Sequence, residues 1–210
     1  AGKNTIVIVL ADHGDGMGSH RMVTKQVSFY EEMTNVPFII AGPGIHPRQK
    51  PVEDLLTQPT IDLLPTLCEL AGIPVPSSKP GISLAPFLKG EKQKRQHPYA
   101  ASEWHSEYEV TVSPGRMIRS PRYKYTHYLE GNGEELYDML KDKGERRNLA
   151  HDPKYSKILA EHRALLDDYI RRTQDDYRSL KVEADKRWRS HAPGYPNHEG
   201  PCARDIINRK

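Results

Sequence analysis

Asp12 and His13 follow the apolar run of residues 5–11 with no spacer, in the stretch TIVIVLADHGDGMGSH. A carboxylate beside an imidazole is a common donor pair for a divalent cation. Adjacent residues in an extended chain point to opposite sides, so a single ion can take both only where the chain turns sharply, which Gly14 permits. The competing reading makes Asp12 a cap for the next segment and His13 an exposed turn residue, and spacing alone leaves both open. Lys25 stands farther along in a stretch without periodicity. It is either a compact positive charge for an anionic oxygen or a solvated surface lysine. Trp104 and His105 form a third candidate: an aromatic face for a sugar ring beside a hydrogen-bonding imidazole, or else a packing tryptophan and a surface histidine.

These residues need a scaffold. Residues 5–11 are apolar on both faces, as is a strand covered on both sides of a sheet. Residues 36–42 form a second such strand, closed by a Gly-Pro-Gly turn. In open α/β sheets ligands bind beyond the carboxyl ends of strands, which is where Asp12 and His13 lie. Apolar positions 61, 64, 67, 68 and 71 mark one face of a helix that Gly72 ends. Pro65 must lie near its first turn or bend it. A Pro-, Ser- and Gly-rich stretch then closes in the charged run EKQKRQ, read as a surface crossing between subdomains.

The second part has a different texture. HPYAASEW, RMIRS, YKYTHY and EELYDM are short strand candidates separated by turn residues, which predicts an antiparallel sheet. Arg119, Arg122 and Lys124 alternate with apolar or aromatic residues and read as its wet face. Asp152 as N-cap and Pro153 as first helical residue open a helix with apolar positions 155, 158, 159, 165, 166, 169 and 170 in one stripe. The expected organisation is residues 1–95 as part of an α/β domain, 96–173 as a small α+β subdomain, and 174–210 as a basic tail. Only two strands of the doubly covered type are present, too few for a stable sheet of that kind. The expectation is therefore the C-terminal part of a larger enzyme, with its first half missing or carried on a separate chain.

Composition narrows the classes. Net charge is +3, with no concentrated basic face of the kind a dedicated nucleic-acid binder carries. The apolar run of residues 6–11 falls far short of the roughly 20 residues that span a bilayer, and it is not read as a signal peptide. The two cysteines, Cys68 and Cys202, have no partner at zinc or redox spacing. The histidines at 46, 97, 127, 151, 162, 191 and 198 read as surface or packing residues.

Taken in order, NTIVIVLADHGDGMGSHRMVTKQVSFYEEMTNVPFIIAGPGI resembles the second half of the sulfatase family. That family shows a strand, Asp-His-Gly-Asp, Gly-x-His, a lysine five residues after the histidine, and Tyr-Glu-Glu before Val-Pro. His20 and Lys25 keep the five-residue step, with one more residue between Lys25 and Tyr30 than in the commonest form. The likeness continues in IDLLPTLCELAG, GISL, RMIRSPRYKYTHY and EELYDMLKDKGERRNLAHDP, over about residues 3–173.

The resemblance implies an alkaline-phosphatase-like fold that hydrolyses sulfate esters or N-sulfates with one divalent ion, usually calcium, with magnesium or manganese as alternatives. Asp12 and His13 would be two of its protein ligands. Lys25 would be catalytic, holding a sulfate oxygen and offsetting charge as the S–O bond breaks. His20, Lys25, Trp104 and His105 would contact substrate, a sulfated small molecule or glycan. The family's nucleophile is a formylglycine made from Cys or Ser in a Cys/Ser-x-Pro/Ala-x-Arg motif, and neither cysteine lies in one. The nucleophile is therefore expected in the missing N-terminal part. The resemblance points to a periplasmic, secreted or lysosomal location. Two readings compete: a phosphodiesterase or phosphonate hydrolase of the same superfamily, and a non-catalytic chain of a two-chain or degenerate sulfatase.

Overall fold

The computed structural model describes residues 3–22, 28–52, 55–78, 80–93, 97–104, 114–129 and 133–180. The chain folds as two compact units that interleave in sequence. The first takes residues 1–13 and 36–100, the second residues 14–35 and the described residues from 101 onward. Among the described residues no helix is long and apolar enough to cross a membrane.

In the first unit β1 (Val7–Leu10) pairs antiparallel with β2 (Phe38–Ala41), Val7 opposite Ala41 and Leu10 opposite Phe38. Among the described residues the expected cover on both faces is lacking, and Val7, Val9, Leu10 and Ile39 are 42–57% exposed. Such a pair is marginal by itself.

Helix α2 (Pro59–Leu70) follows, opened by Pro59, whose fixed φ suits a first helical turn. Pro65 lies inside the helix and is buried, not in its first turn. It has no N–H for the carbonyl of Ile61. Gly81 comes close to that same carbonyl: a Cβ there would stand 2.1 Å from the Ile61 oxygen, and Gly81 has φ +114°. Gly72, at φ +68°, has open space around it. Gly81→Ala is therefore expected to lower stability by about 1–3 kcal/mol more than Gly72→Ala. Denaturant midpoints of the two variants measure the difference, and equal midpoints would mean that the close approach carries no penalty.

The turn after Gly81 is tied to α2 by a buried polar knot. Asp62, fully buried, accepts hydrogen bonds from the backbone N–H of Gln58 and of Ile82, both at 2.7 Å, and its Oδ1 lies 2.7 Å from His97 Nε2. Thr66 accepts from the N–H of Leu84 and donates to the Asp62 carbonyl. Helix α3 (Ala85–Leu88) starts from this turn.

The second unit is built on a four-stranded sheet in the order β3 (Ala100–Trp104), β4 (Gly115–Arg119), β5 (Tyr123–Tyr128), β6 (Gly133–Asp138). β4, β5 and β6 are antiparallel, with Lys124 opposite Tyr137 and Thr126 opposite Glu135. Side chains alternate between faces. Tyr123, Tyr125 and His127 point to the face covered by α4 (Ser156–Thr173), where Tyr123 meets His162 edge to face. Asp152 caps the short turn Pro153–Tyr155 that leads into this helix. Lys124, Thr126 and Tyr128 point the other way, against the segment containing Phe29 and α1 (Glu31–Thr34). After α4 the chain returns to β4, where Asp175 pairs with Arg116 at 2.6 Å and Tyr177 stacks over that guanidinium.

Lys124 corrects the expected wet face, for it is 1% exposed. Its ammonium lies 2.8 Å from Glu31 Oε1, 2.9 Å from Glu145 Oε1, and donates to the Phe29 carbonyl at 2.8 Å. Two carboxylates and a carbonyl replace the water that a lone buried ammonium would lose. Arg122 is the residue of the three with a half-exposed side chain, paired with Asp138.

Glu135 lies on the same face and is buried, and no group among the described residues hydrogen-bonds its Oε1. Burial, reinforced by the Glu145 carboxylate and partly offset by Lys124, pushes its carboxyl up to about 8. The folded form thus holds a proton that the unfolded chain releases near 4.5. Stability is full below that lower value, falls as pH rises from it, and levels off above about 8. Glu135→Gln is expected to flatten this slope and to raise the melting temperature at pH 8 and above. Thermal melts from pH 5 to 9 check it, and parallel curves for the two proteins would refute it.

Candidate functional site

At the end of β1 the chain places Asp12 and His13 with their side chains on converging paths. His13 Nε2 lies 3.6 Å from Asp12 Oδ2, and the His13 N–H donates to Asp12 Oδ1 at 2.9 Å. Two donors each about 2.4 Å from one cation and at right angles would stand about 3.4 Å apart, so this spacing suits adjacent ligands of a single divalent ion. The Asp12 side chain is 87% exposed and that of His13 41%. The oxygen and nitrogen donors fit such an ion. Among the described residues no group of three or more His, Cys, Asp or Glu side chains could hold one.

Gly14 belongs to the second unit and explains the shape of the turn. Its N–H donates to the Met33 carbonyl at 2.9 Å, and a Cβ on it would stand 1.7 Å from the Glu32 carbonyl oxygen. No side chain fits between the turn and the backbone of α1. Gly16 is similarly pressed on Met22, whose side chain packs with Tyr30, Met33, Tyr137 and Met139.

The next residues form the tight turn Ser19–Arg21, in which His20 has left-handed backbone at φ 48° and ψ 26°. Its ring lies flat on Tyr30, with centroids 3.7 Å apart and planes 2° from parallel. Its Nε2 is 3.8 Å from Glu32 Oε2, and Glu32 Oε1 accepts from the Ser19 hydroxyl at 2.5 Å. Burial holds the His20 imidazole below its ordinary pKa, with Glu32 and Asp142 pulling it up and Lys124 pushing it down. The Glu32 carboxyl is lowered overall: burial raises it, and the Ser19 hydroxyl, its own backbone and the His20 and Lys124 charges outweigh that. The grip of Tyr30 and Glu32 on His20 depends on the turn folding back onto α1, which no local pattern signals.

Trp104 ends β3, and its indole packs against the buried cluster of Phe29, Met117 and Tyr128. Lys25 and His105 lie outside the described residues. The structure thus brings Asp12 to His13, and His20 to Tyr30 and Glu32, and it places Trp104 in a packed setting.

Comparison with known proteins adds an independent line. A family model described as N-sulphoglucosamine sulphohydrolase, C-terminal, matches residues 18–172. A Delta 4,5-hexuronate-2-O-sulfatase of Bacteroides thetaiotaomicron is 76% identical over 210 residues, which is 100% of this chain and 44% of that protein. A solved structure of a 2-O GAG sulfatase, 77% identical, superposes with a TM-score of 0.87 over 98% of this chain and 44% of its own. A phosphonate monoester hydrolase from Silicibacter pomeroyi, 29% identical, superposes with a TM-score of 0.71 over 85% of this chain and 37% of its own. The chain therefore spans less than half the length of the relatives it matches.

Proposed function

Because this chain belongs to the sulfatase family and supplies a C-terminal portion of its alkaline-phosphatase-like fold, we propose that the whole protein hydrolyses sulfate esters, with a 2-O-sulfated unsaturated hexuronate as substrate. The observation that carries this reading is the likeness along every residue of the chain to a hexuronate-2-O-sulfatase. In this reading Asp12 and His13 hold the divalent cation, calcium, or magnesium or manganese in its place. The cation, when bound, neutralises oxygens of the sulfate group. Lys25 binds a sulfate oxygen and favours the transition state, in which negative charge grows on the leaving oxygen. His20 orients the substrate. Packing of Trp104 fixes the end of β3, and in the same reading Trp104 and His105 contact the substrate.

The formylglycine nucleophile and further metal ligands come from the part of the protein outside this chain. That part also covers the open faces of β1 and β2, whose exposed Val7, Val9 and Ile39 are apolar surface awaiting a layer.

A second reading, phosphonate or phosphodiester hydrolysis, has the shared fold of the phosphonate monoester hydrolase behind it. Both reactions centre on a tetrahedral anion. Assaying the full-length protein on a 2-O-sulfated unsaturated disaccharide and on an aryl phosphonate monoester separates them. The expected result is sulfate release with kcat/KM at least an order of magnitude above the phosphonate value, and no turnover of either by the 210-residue polypeptide alone. A phosphonate preference would reverse the assignment.

A further inference from the structure

The loop after the Asp12–His13 turn holds three residues other than glycine in left-handed backbone: Met17 at φ 45°, His20 at 48° and Arg21 at 62°. Each such residue costs on the order of 1 kcal/mol or more and persists only where its surroundings over-determine it. At His20 they do. Tyr30 covers one ring face, Glu32 faces Nε2, and Ser19 braces the other Glu32 oxygen. Helix α1, which carries Glu32, is itself held in place. The Glu31 N–H donates to Glu145 Oε2 at 2.7 Å, and the Glu31 carboxylate meets the buried Lys124.

We propose that Glu32 is a positioning residue for sulfate-ester hydrolysis, fixing the ring orientation and tautomer of His20 and so the acceptor nitrogen that His20 presents to the substrate. The separation of 3.8 Å is longer than a hydrogen bond. It is still close enough for the carboxylate to favour the proton on Nε2, which leaves Nδ1 as the acceptor for a substrate hydroxyl. Tyr30 stops the ring from turning out of that plane. The left-handed backbone at His20 is what carries the ring back onto α1. This inference rests on His20 contacting substrate in a sulfatase.

The test uses the full-length protein with the 2-O-sulfated unsaturated disaccharide. Glu32→Gln is expected to lower kcat/KM by about 10- to 100-fold. The same substitution in a His20→Ala background should add less than about twofold, since the two residues act as one unit. The acid limb of the kcat/KM profile should move to lower pH in Glu32→Gln, because the upward pull of the carboxylate on the imidazole is gone while Lys124 and Asp142 remain. Glu32→Asp should recover part of the loss. Ser19→Ala, which frees the carboxylate without touching the ring, should give a smaller loss that also vanishes in the His20→Ala background. That variant keeps the test open should Glu32→Gln fold poorly.

An unmoved acid limb, or a Glu32→Gln loss equally large without His20, would overturn the proposal in favour of a purely structural glutamate. Imidazole 15N shifts give a readout independent of turnover. His20 should carry its proton on Nε2 in the wild-type protein and become a tautomer mixture in Glu32→Gln, and identical shifts would count against the proposal. Absence of sulfate release by the wild-type protein would instead strike the functional reading, and the 15N shifts would still decide the role of Glu32.

Discussion

On the proposed reading, Asp12→Ala in the full-length protein should abolish sulfate-ester turnover and remove the bound divalent ion with it, whereas Lys25→Ala should lower turnover by about 100- to 1000-fold and keep the ion. Asp12 and His13 converge to 3.6 Å at the end of β1. Losing the carboxylate deletes the oxygen donor of the pair and leaves only an imidazole nitrogen, which binds a hard cation such as calcium poorly. On the proposed reading Lys25 places a charge on the sulfate, so its removal should cost transition-state stabilisation of the kind that is worth about 100- to 1000-fold in kcat. Metal content by mass spectrometry beside initial rates makes the comparison. An Asp12→Ala protein that retains a full equivalent of metal, or a Lys25→Ala protein with wild-type rates, would dismantle the assignment of roles.

Lys124→Met should be the most damaging single change to the fold of the second unit. It leaves Glu31 and Glu145 facing each other without their cation and the Phe29 carbonyl without its donor. Breaking one side of a buried ion pair costs about 3–5 kcal/mol, which for a domain of this size lowers the melting temperature by roughly 6–20 °C. Burial already holds the Glu145 carboxyl above its ordinary value even with Lys124 beside it, so losing the ammonium should raise it further. The paired variant Lys124→Met, Glu145→Gln should recover part of the loss, because it removes the stranded charge as well. A melting temperature unchanged in the single variant would show that the ammonium is solvated in solution.

Much of the second unit was legible in the sequence. YKYTHY and EELYDM read as short strands set between turn residues, and both form as β5 and β6. Asp152 and Pro153 announced the turn into α4. Lys124 was misread for a definite reason: its cover comes from Phe29, 95 positions earlier, and alternation reports that a strand has two faces but not what lies on each. The pairing of β1 with β2 shows the complementary limit. Residues 5–11 carry the apolar pattern of a covered strand, yet Val7 and Val9 are about half exposed among the described residues. At the site, the Asp-His-Gly turn was visible as a motif. The reason for its glycine was not, since Gly14 answers to the carbonyl of Glu32 in a separate element.

The interleaving of the two units limits how this subdomain can be inherited. A polypeptide that began at residue 101 would direct Lys124 inward with neither Glu31 nor the Phe29 carbonyl to meet it. The C-terminal subdomain is thus no transferable cassette. Recombination that swapped it between relatives without also swapping residues 14–35 would pair a buried cation with a foreign lining, so the two stretches should travel together.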